Sequence, residues 1–501
     1  MNIRSESFLN LVVIALFLAL GLNGAFHHEV WLDESHHWLI ARDSNTIGEL
    51  AYHLRYDGHP ILWNIILFVI TRFTQQVVWM QVVHVCIASA AVAVFLVKAP
   101  FSRWIKYLFV AGYYPFYEYS LLSRNYSIIV LLLFVVLSLD GAKSGRASLV
   151  KGFCLALLAN THLLGLILCA AYFVSWFYYT YAQKAWSAAT VAALALAVTG
   201  CVTAVIQIIP PADSPLVTHW PMGSMAGENF RRALAMPVKS FIPFPDITRR
   251  DYWNEYLLVD YARPLSAIIS VLLLAWPALA LSRSRRAVLF FYLTLGAMLL
   301  FFFMANIVAA RYFGILYVAF IGALWIQYAD VVSRPFVRSR RIEMINRRTF
   351  HLVLSCILVI HAAAGVVAYA LDVMRPFSSS RSLAAYVSQT PPAALVMENC
   401  RYASALSYTG SQAYFLQQQQ WGSYCQFHQL ESPYPQAVLV ARLEEFLKQH
   451  PEGAWFIHYE RLEPSVLAGS HLQFATAFDP CVIDHENFIV YRLILSGSAE
   501  N

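Results

Sequence analysis

Apolar stretches recur along the chain from residue 8 to residue 371, separated by short polar joints, and then stop. A bilayer core about 30 Å thick takes roughly 20 apolar residues of helix at about 1.5 Å each. The pattern therefore predicts membrane-spanning helices over 8–26, 77–97, 104–119, 126–139, 185–208, 263–282, 287–308, 312–329 and 350–371. Two stretches resist simple counting. The run "ILWNIILFVIT" at 61–71 covers only about 16 Å of helix and is expected to be half-buried or interfacial. The stretch 152–182 has a lysine near each end, and a hairpin turning at Asn160–His162 keeps both lysines on one side.

Past residue 372 the period changes. Short strand-like runs "AALVM", "AWFIHY" and "FIVYRLIL" alternate with amphipathic stretches such as "PQAVLVARLEEFLKQH", the mark of a small α/β domain. The tract "QQQQ" at 417–420 is too short to signify low complexity. The division expected is a membrane module over 1–372 and a soluble α/β domain over 373–501.

Composition agrees: 59% of residues are hydrophobic and 13% charged, against about a quarter charged in soluble domains. The net charge of +6 sharpens the topology rather than pointing to a polyanionic partner. Lys98, Arg103 and Lys106, then Lys143, Arg146 and Lys151, then Lys184, then Arg283, Arg285 and Arg286, and finally Arg334, Arg338, Arg340, Arg341, Arg347 and Arg348 collect in short loops between apolar runs. That is the signature of cytoplasmic loops, so the lipid bilayer, and no nucleic acid, is the expected partner. With these loops inside, the chain makes about eleven passes, counted on the charge of its joints. The first loop 27–76, the loop 209–262 and the C-terminal domain then lie outside. A cleaved signal peptide at the N-terminus is the alternative reading of the first span, and it leaves residue 30 outside as well. Cys400, Cys425 and Cys481 fall in the external domain, where two can pair and the third stays free.

Once sides are assigned, the polar residues that interrupt the apolar pattern converge on the outer surface. The first loop brings Asp33 and Glu34 in "VWLDESHHWL" and His59 in "DGHP"; "YEYSLLSRNYS" brings Glu118, Arg124 and Tyr126; the hairpin turn brings His162; "AARYFG" brings Arg311. A charge at a helix centre costs about 2.5–3.5 kcal/mol on insertion scales, so helix ends are where such residues are tolerated and where snorkelling anchors are also common. Two arginines on one face beside paired carboxylates favour an anion site. The guanidinium fork donates two parallel bonds to phosphate, and a carboxylate suits deprotonation of a hydroxyl. His27, His28, His36 and His37 surround the carboxylates but lack the i, i+4 imidazole pair of a helix-borne site, so no metal site is assigned.

The series "WLDES", "GHPILW", "SRNYS", "NTHLLG" and "RYFGILY" resembles, in order and spacing over residues 1 to about 330, the C-type (GT-C) glycosyltransferases. Within these it is similar to the bacterial branch of protein O-mannosyltransferases, aminoarabinose transferases and lipid A galacturonosyltransferases. The resemblance implies a polytopic helical GT-C fold, a donor sugar on a polyprenyl phosphate and a cell-envelope acceptor (lipid, glycan or protein). It also implies reaction on the outer side of a bacterial inner membrane. Asp33 matches the family's first-loop acidic position, with Glu34 beside it. Arg124 and Arg311 match its basic positions and are expected to hold the lipid phosphate, with His59 and His162 offering hydrogen bonds to donor or acceptor. Transfer with inversion follows from Asp33 acting on the acceptor hydroxyl from the face opposite the phosphate. Some relatives carry a lysine where this chain has His59, and their second acidic residue of the second loop is represented only by Glu118. Secondary candidates for acceptor contacts are Glu118, Tyr126, His37, and Trp220 and Trp253 of the long loop. No cofactor is expected to be required, a divalent metal being the alternative. The rival readings are a transporter of a lipid-linked or polar substrate, which would place polar residues at mid-depth, and an oligosaccharide polymerase or ligase using a diphosphate-linked donor.

Overall fold

A computed structural model describes residues 3–142, 144–214, 226–305, 309–333, 340–426 and 431–494. Among these, eight helices are long and apolar enough to cross a membrane: Glu6–His27, Val78–Lys98, Leu163–Ala182, Ala188–Ile208, Arg263–Ala280, Arg285–Met304, Ala310–Asp330 and Arg348–Met374. Each falls on an expected crossing. The other three expected passes are shorter helices. Tyr126–Ser138 has 13 residues, and Gly145–Ala159, the first arm of the hairpin, has 15. The expected crossing 104–119 is broken: an α-helix covers Arg103–Val110 and a π-helical turn covers Tyr113–Glu118. Pro115 supplies no backbone donor to an α-helical ladder there. A side chain at Gly112 would stand 2.9 Å from the carbonyl oxygen of Phe109, which pins the joint as glycine. The run 61–71 is the short helix Leu62–Thr71.

The hairpin turns where expected. Asn160 ends the first arm and its side-chain amide donates to the carbonyls of Ala156 and Gly200, at 2.8 and 3.0 Å. His162 caps the second arm, its Nδ1 accepting the N–H of Leu164 at 3.0 Å. The first arm packs on Ala188–Ile208 through glycines. A Cβ on Gly152 would meet the backbone of Ala193 at 2.4 Å, and one on Gly200 that of Ala156 at 2.3 Å. Only residues without a side chain let two helix backbones approach this closely, the usual device where lipid provides no hydrophobic drive between helices.

The chain divides into two compact units. The first comprises residues 1–23, 58–63 and 82–371, the second 24–57, 64–81 and 372–501. The second unit thus takes in most of the first loop together with the C-terminal segment. Within the first unit the basic joints gather at one end of the helices. Asp140 accepts from Lys151 at 3.2 Å and from Arg286, and Arg286 also reaches Asp330 at 3.3 Å. The hydroxyl of Tyr172 donates to Asp140 as well. Lys143, Arg334 and Arg338 lie outside the described residues, as do the side chains of Arg340, Arg341 and Arg347.

In the second unit a six-stranded sheet runs in the order β3-β2-β1-β4-β6-β5. The strands are β1 Leu395–Met397, β2 Ala413–Phe415, β3 Gln420–Gly422, β4 Ala454–His458, β5 Leu472–Ala477 and β6 Ile489–Leu493. β1 is parallel to β2 and β4, and the remaining pairs are antiparallel. Side chains alternate between faces along each strand. Leu395, Met397, Trp455 and Ile457 pack with Leu383 of helix Ser380–Gln389 on one side. Val396, Phe456, Tyr491 and Leu493 pack with Leu439, Leu443 and Phe446 of helix Gln436–Gln449 on the other. Cys400 and Cys425 form a disulfide, and Cys481 is the free, buried thiol of the three.

Candidate functional site

The stretch "LDESHHWLIARD" is not an irregular loop but the helix Leu32–Asp43. Asp33 and Glu34 occupy its first turn, where the unpaired N–H groups and the positive end of the helix dipole favour carboxylates. Asp33 is half-buried. Glu34 is wholly buried. Its Oε2 accepts from Nε2 of His28 at 3.0 Å and from the N–H of Trp31 at 3.4 Å. Nδ1 of the same imidazole donates to both oxygens of Asp372 at 3.1 Å. Burial alone would lower the proton affinity of His28, but Asp372 and then Glu34 outweigh it and hold the ring's pKa well above that of a free histidine. The two histidines further along the helix are engaged too: Nε2 of His36 donates to Asp57 at 3.1 Å, and Nδ1 of His37 accepts from the amide of Asn64 at 3.0 Å. His37, expected among the acceptor contacts, is buried in that bond.

Within the first unit a second set of candidates comes together. Arg124 ends the joint before Tyr126–Ser138, His162 sits at the hairpin turn, and Arg311 is the second residue of helix Ala310–Ser333. All three are buried. His162 stands 4.5 Å from His59, ring centre to ring centre, and stacks on Tyr312 at 5.7 Å. Burial first, then His59, Arg124 and Arg311, keeps His162 far below the ordinary histidine range, so it is a neutral ring beside cations. The hydroxyl of Tyr126 lies 3.5 Å from its Nε2. The Arg311 guanidinium lies over the rings of Tyr312 and Trp253, at 5.3 and 5.7 Å. These aromatic faces orient it without neutralising its charge. The Arg311 carbonyl accepts from the hydroxyl of Tyr119 at 2.6 Å.

Glu118 is buried in the π-helical turn, its Oε2 accepting from Trp253 Nε1 at 3.1 Å and from the Tyr113 hydroxyl at 3.4 Å. Two of the five secondary candidates, Glu118 and Trp253, are therefore bonded to each other. Trp220 lies outside the described residues. Among the described residues no group of three or more His, Cys, Asp or Glu is arranged to hold a metal ion. Residues the sequence reading gave no role are His28, which it named only among the histidines around the carboxylates, and Asp372, Asn64 and Glu486, the last bonded to the N–H of Leu32 at 2.5 Å. His28 alone had a local signal, in its place beside the carboxylate pair.

Helices of this order, a broken second-loop segment, a short hairpin and a terminal mixed sheet define a polytopic membrane protein of the C-type glycosyltransferase fold carrying a small α/β domain. The solved structure that carries this assignment is ArnT from Cupriavidus metallidurans bound to undecaprenyl phosphate, with a TM-score of 0.51, 13% sequence identity and 100% of both chains covered. ArnT from the same organism in the apo state is also similar, with a TM-score of 0.49, 13% identity and 98% of each chain covered. No family model matches the sequence, and no curated protein matches it.

Proposed function

We propose that this protein is an integral-membrane glycosyltransferase that moves a sugar from a polyprenyl-phosphate donor to a hydroxyl of a cell-envelope lipid, glycan or protein. The observation that carries the reading is the buried set of Arg124, Arg311 and neutral His162 at one end of a fold shared with ArnT, whose solved structure is bound to undecaprenyl phosphate. Two fixed guanidinium groups in a water-poor setting suit a phosphate that gains charge as it leaves.

In the proposed reaction Asp33 takes the proton of the acceptor hydroxyl. The acceptor oxygen forms its bond to the anomeric carbon as the bond from that carbon to the phosphate oxygen breaks, with inversion. The electron pair of the broken bond goes to the polyprenyl phosphate, which Arg124 and Arg311 stabilise. The balance needs no cofactor. His59 and His162 offer hydrogen bonds to the sugar or phosphate. The choice of Asp33 over Glu34 is supported by burial, since Glu34 is sealed against His28 while Asp33 is half-buried.

Reaction outside the cytoplasm, at the inner membrane of a bacterium, is supported by two features. The basic joints and the arginine–histidine set occupy opposite ends of the first unit's helices. The Cys400–Cys425 disulfide belongs to an oxidising compartment.

Membranes containing the full chain, incubated with radiolabelled polyprenyl-phosphate sugars, test this reading by following label into endogenous lipid, glycan or protein. Asp33→Asn should lower transfer by about 10²- to 10⁴-fold, and Arg311→Ala by about 10²- to 10³-fold, at equal amounts of folded protein. Undiminished transfer by the Asn variant would remove the base assignment.

A further inference from the structure

The helix carrying Asp33 is closed from within only at its N-cap, where Glu34 accepts the N–H of Trp31 at 3.4 Å. An indole offers no acceptor atom, so Trp31 at the N-cap position cannot serve the N–H groups that follow. The first N–H groups of a helix have no partner within it, so an acceptor must come from elsewhere. It comes from 454 residues further along the chain. Glu486, in the short turn Asp484–Glu486, is wholly buried. Its Oε1 accepts the N–H of Leu32 at 2.5 Å, and its Oε2 accepts the hydroxyls of Ser404, at 3.1 Å, and Ser378. The Glu486 carbonyl is held in turn by the N–H of Ser379 at 3.3 Å and by its hydroxyl. Next to it His485, exposed to solvent, has Asp33, Arg401 and Asp484 as its charged neighbours.

Glu486 buries its carboxyl group against the peptide one residue before Asp33, and its bonds to Leu32, Ser404 and Ser378 all lie inside the second unit. We propose that Glu486 is a positioning residue for Asp33: by capping Leu32 it fixes the first helical turn, on which Asp33 stands. The inference rests on the reading of Asp33 as the base. It also gives the site a sensitivity to pH. Burial raises the Glu486 carboxyl to about 7, against the pull of its bonds from Ser378, Leu32 and Ser404, and Glu34 pushes it the same way as burial. The other titratable group set against it is the Cys481 thiol, which burial first, and then Glu486, raises to about 12. Ionisation of Glu486 strengthens the bond to Leu32 and sets a negative charge near Asp33, which makes that carboxylate a better proton acceptor.

The test uses the same membrane transfer assay across pH 5–9 with wild type, Asp33→Asn, Glu486→Gln and Glu486→Ala, each compared at equal folded protein. Glu486→Ala should lower kcat by up to about 10²-fold, the scale of a displaced reacting group, with the donor KM unchanged. Glu486→Gln keeps an acceptor oxygen for Leu32, so it should match wild type below neutrality and lack the wild-type rise in rate through pH 7. Wild-type kcat in a folded Ala variant overturns the proposal, and superimposable pH profiles for wild type and the Gln variant overturn it even if the Ala variant fails to fold. Activity in Asp33→Asn would instead overturn the underlying reading, which separates the two failures.

Discussion

Two buried acid clusters in this protein are built on opposite principles. In the first unit Asp140 faces Lys151 and Arg286, and Arg286 also reaches Asp330. In the second unit Glu34 and Asp372 share one imidazole, and Glu486 has hydrogen-bond donors but no cation among its bonded partners. The nearby Arg381 spends its guanidinium on the carbonyls of Phe26 and His28. The first cluster is a closed ion network suited to joining helices. The second is joined through an imidazole, a cation that can itself lose its proton, so protons can enter and leave it.

The contrast can be broken most forcefully at Arg286. Arg286→Ala leaves Asp140 and Asp330 short of a cation in a buried setting, which should cost about 3–5 kcal/mol. Thermal unfolding of the detergent-purified chain should show this loss with little change between pH 5 and 8. A deficit that vanished at low pH would make the first cluster as titratable as the second.

Glu486 gives the next effect. A carboxyl raised to about 7 from an unfolded value near 4.5 holds its proton in the folded state longer than in the unfolded one. Its stabilising contribution is therefore complete below about pH 4.5 and is lost as pH rises to 7, about 3 kcal/mol in all. The unfolding midpoint of wild type should fall over that window, and Glu486→Gln should flatten the slope. A variant with the wild-type slope would assign the pH response to another group.

His28→Gln should be milder, about 1.5–3 kcal/mol for hydrogen bonds to charged groups. Here the sign is that of a base whose folded pKa is raised. The imidazole's contribution is whole below about pH 6.5 and fades as pH climbs through its elevated value, so the variant's deficit should be largest in mild acid and shrink in alkali. Equilibrium unfolding at pH 6 and pH 9 measures the difference, and an equal deficit at both would mean that the ring packs rather than pairs.

The sequence made the membrane architecture legible because eight of the spans are long apolar runs, and charge at the joints sorted the runs by side. It reached the hairpin at Asn160–His162 because a lysine near each end left no other course. It also reached β1, β4 and β6, whose residues are mostly apolar and buried. β2, β3 and β5 escaped it. Two of these strands are three residues long, and β3 and β5 are largely exposed, so no apolar run marks them. The tract at 417–420 is the turn into β3, where Gln419 takes a positive φ of 49°. The broken crossing at 104–119 was hidden because Gly112 and Pro115 sit inside an otherwise apolar stretch. At the site, Arg124, His162 and Arg311 announced themselves as polar residues at helix ends. The partners around the Asp33 helix did not, because Asp372 reaches His28 across 344 residues and Glu486 reaches Leu32 across 454, and no periodicity spans such a distance.

That last separation has a consequence in time. Ribosomes add about 5–20 residues per second, so the peptide N–H of Leu32 waits roughly half a minute or more for the oxygen that caps it. During that interval the first turn of its helix has been made but not finished. A chain that stops short of residue 486 never completes it, however well its membrane helices insert. A helix made early is finished by an oxygen added 454 residues later, and a nascent copy stays unassembled at that point until residue 486 has emerged.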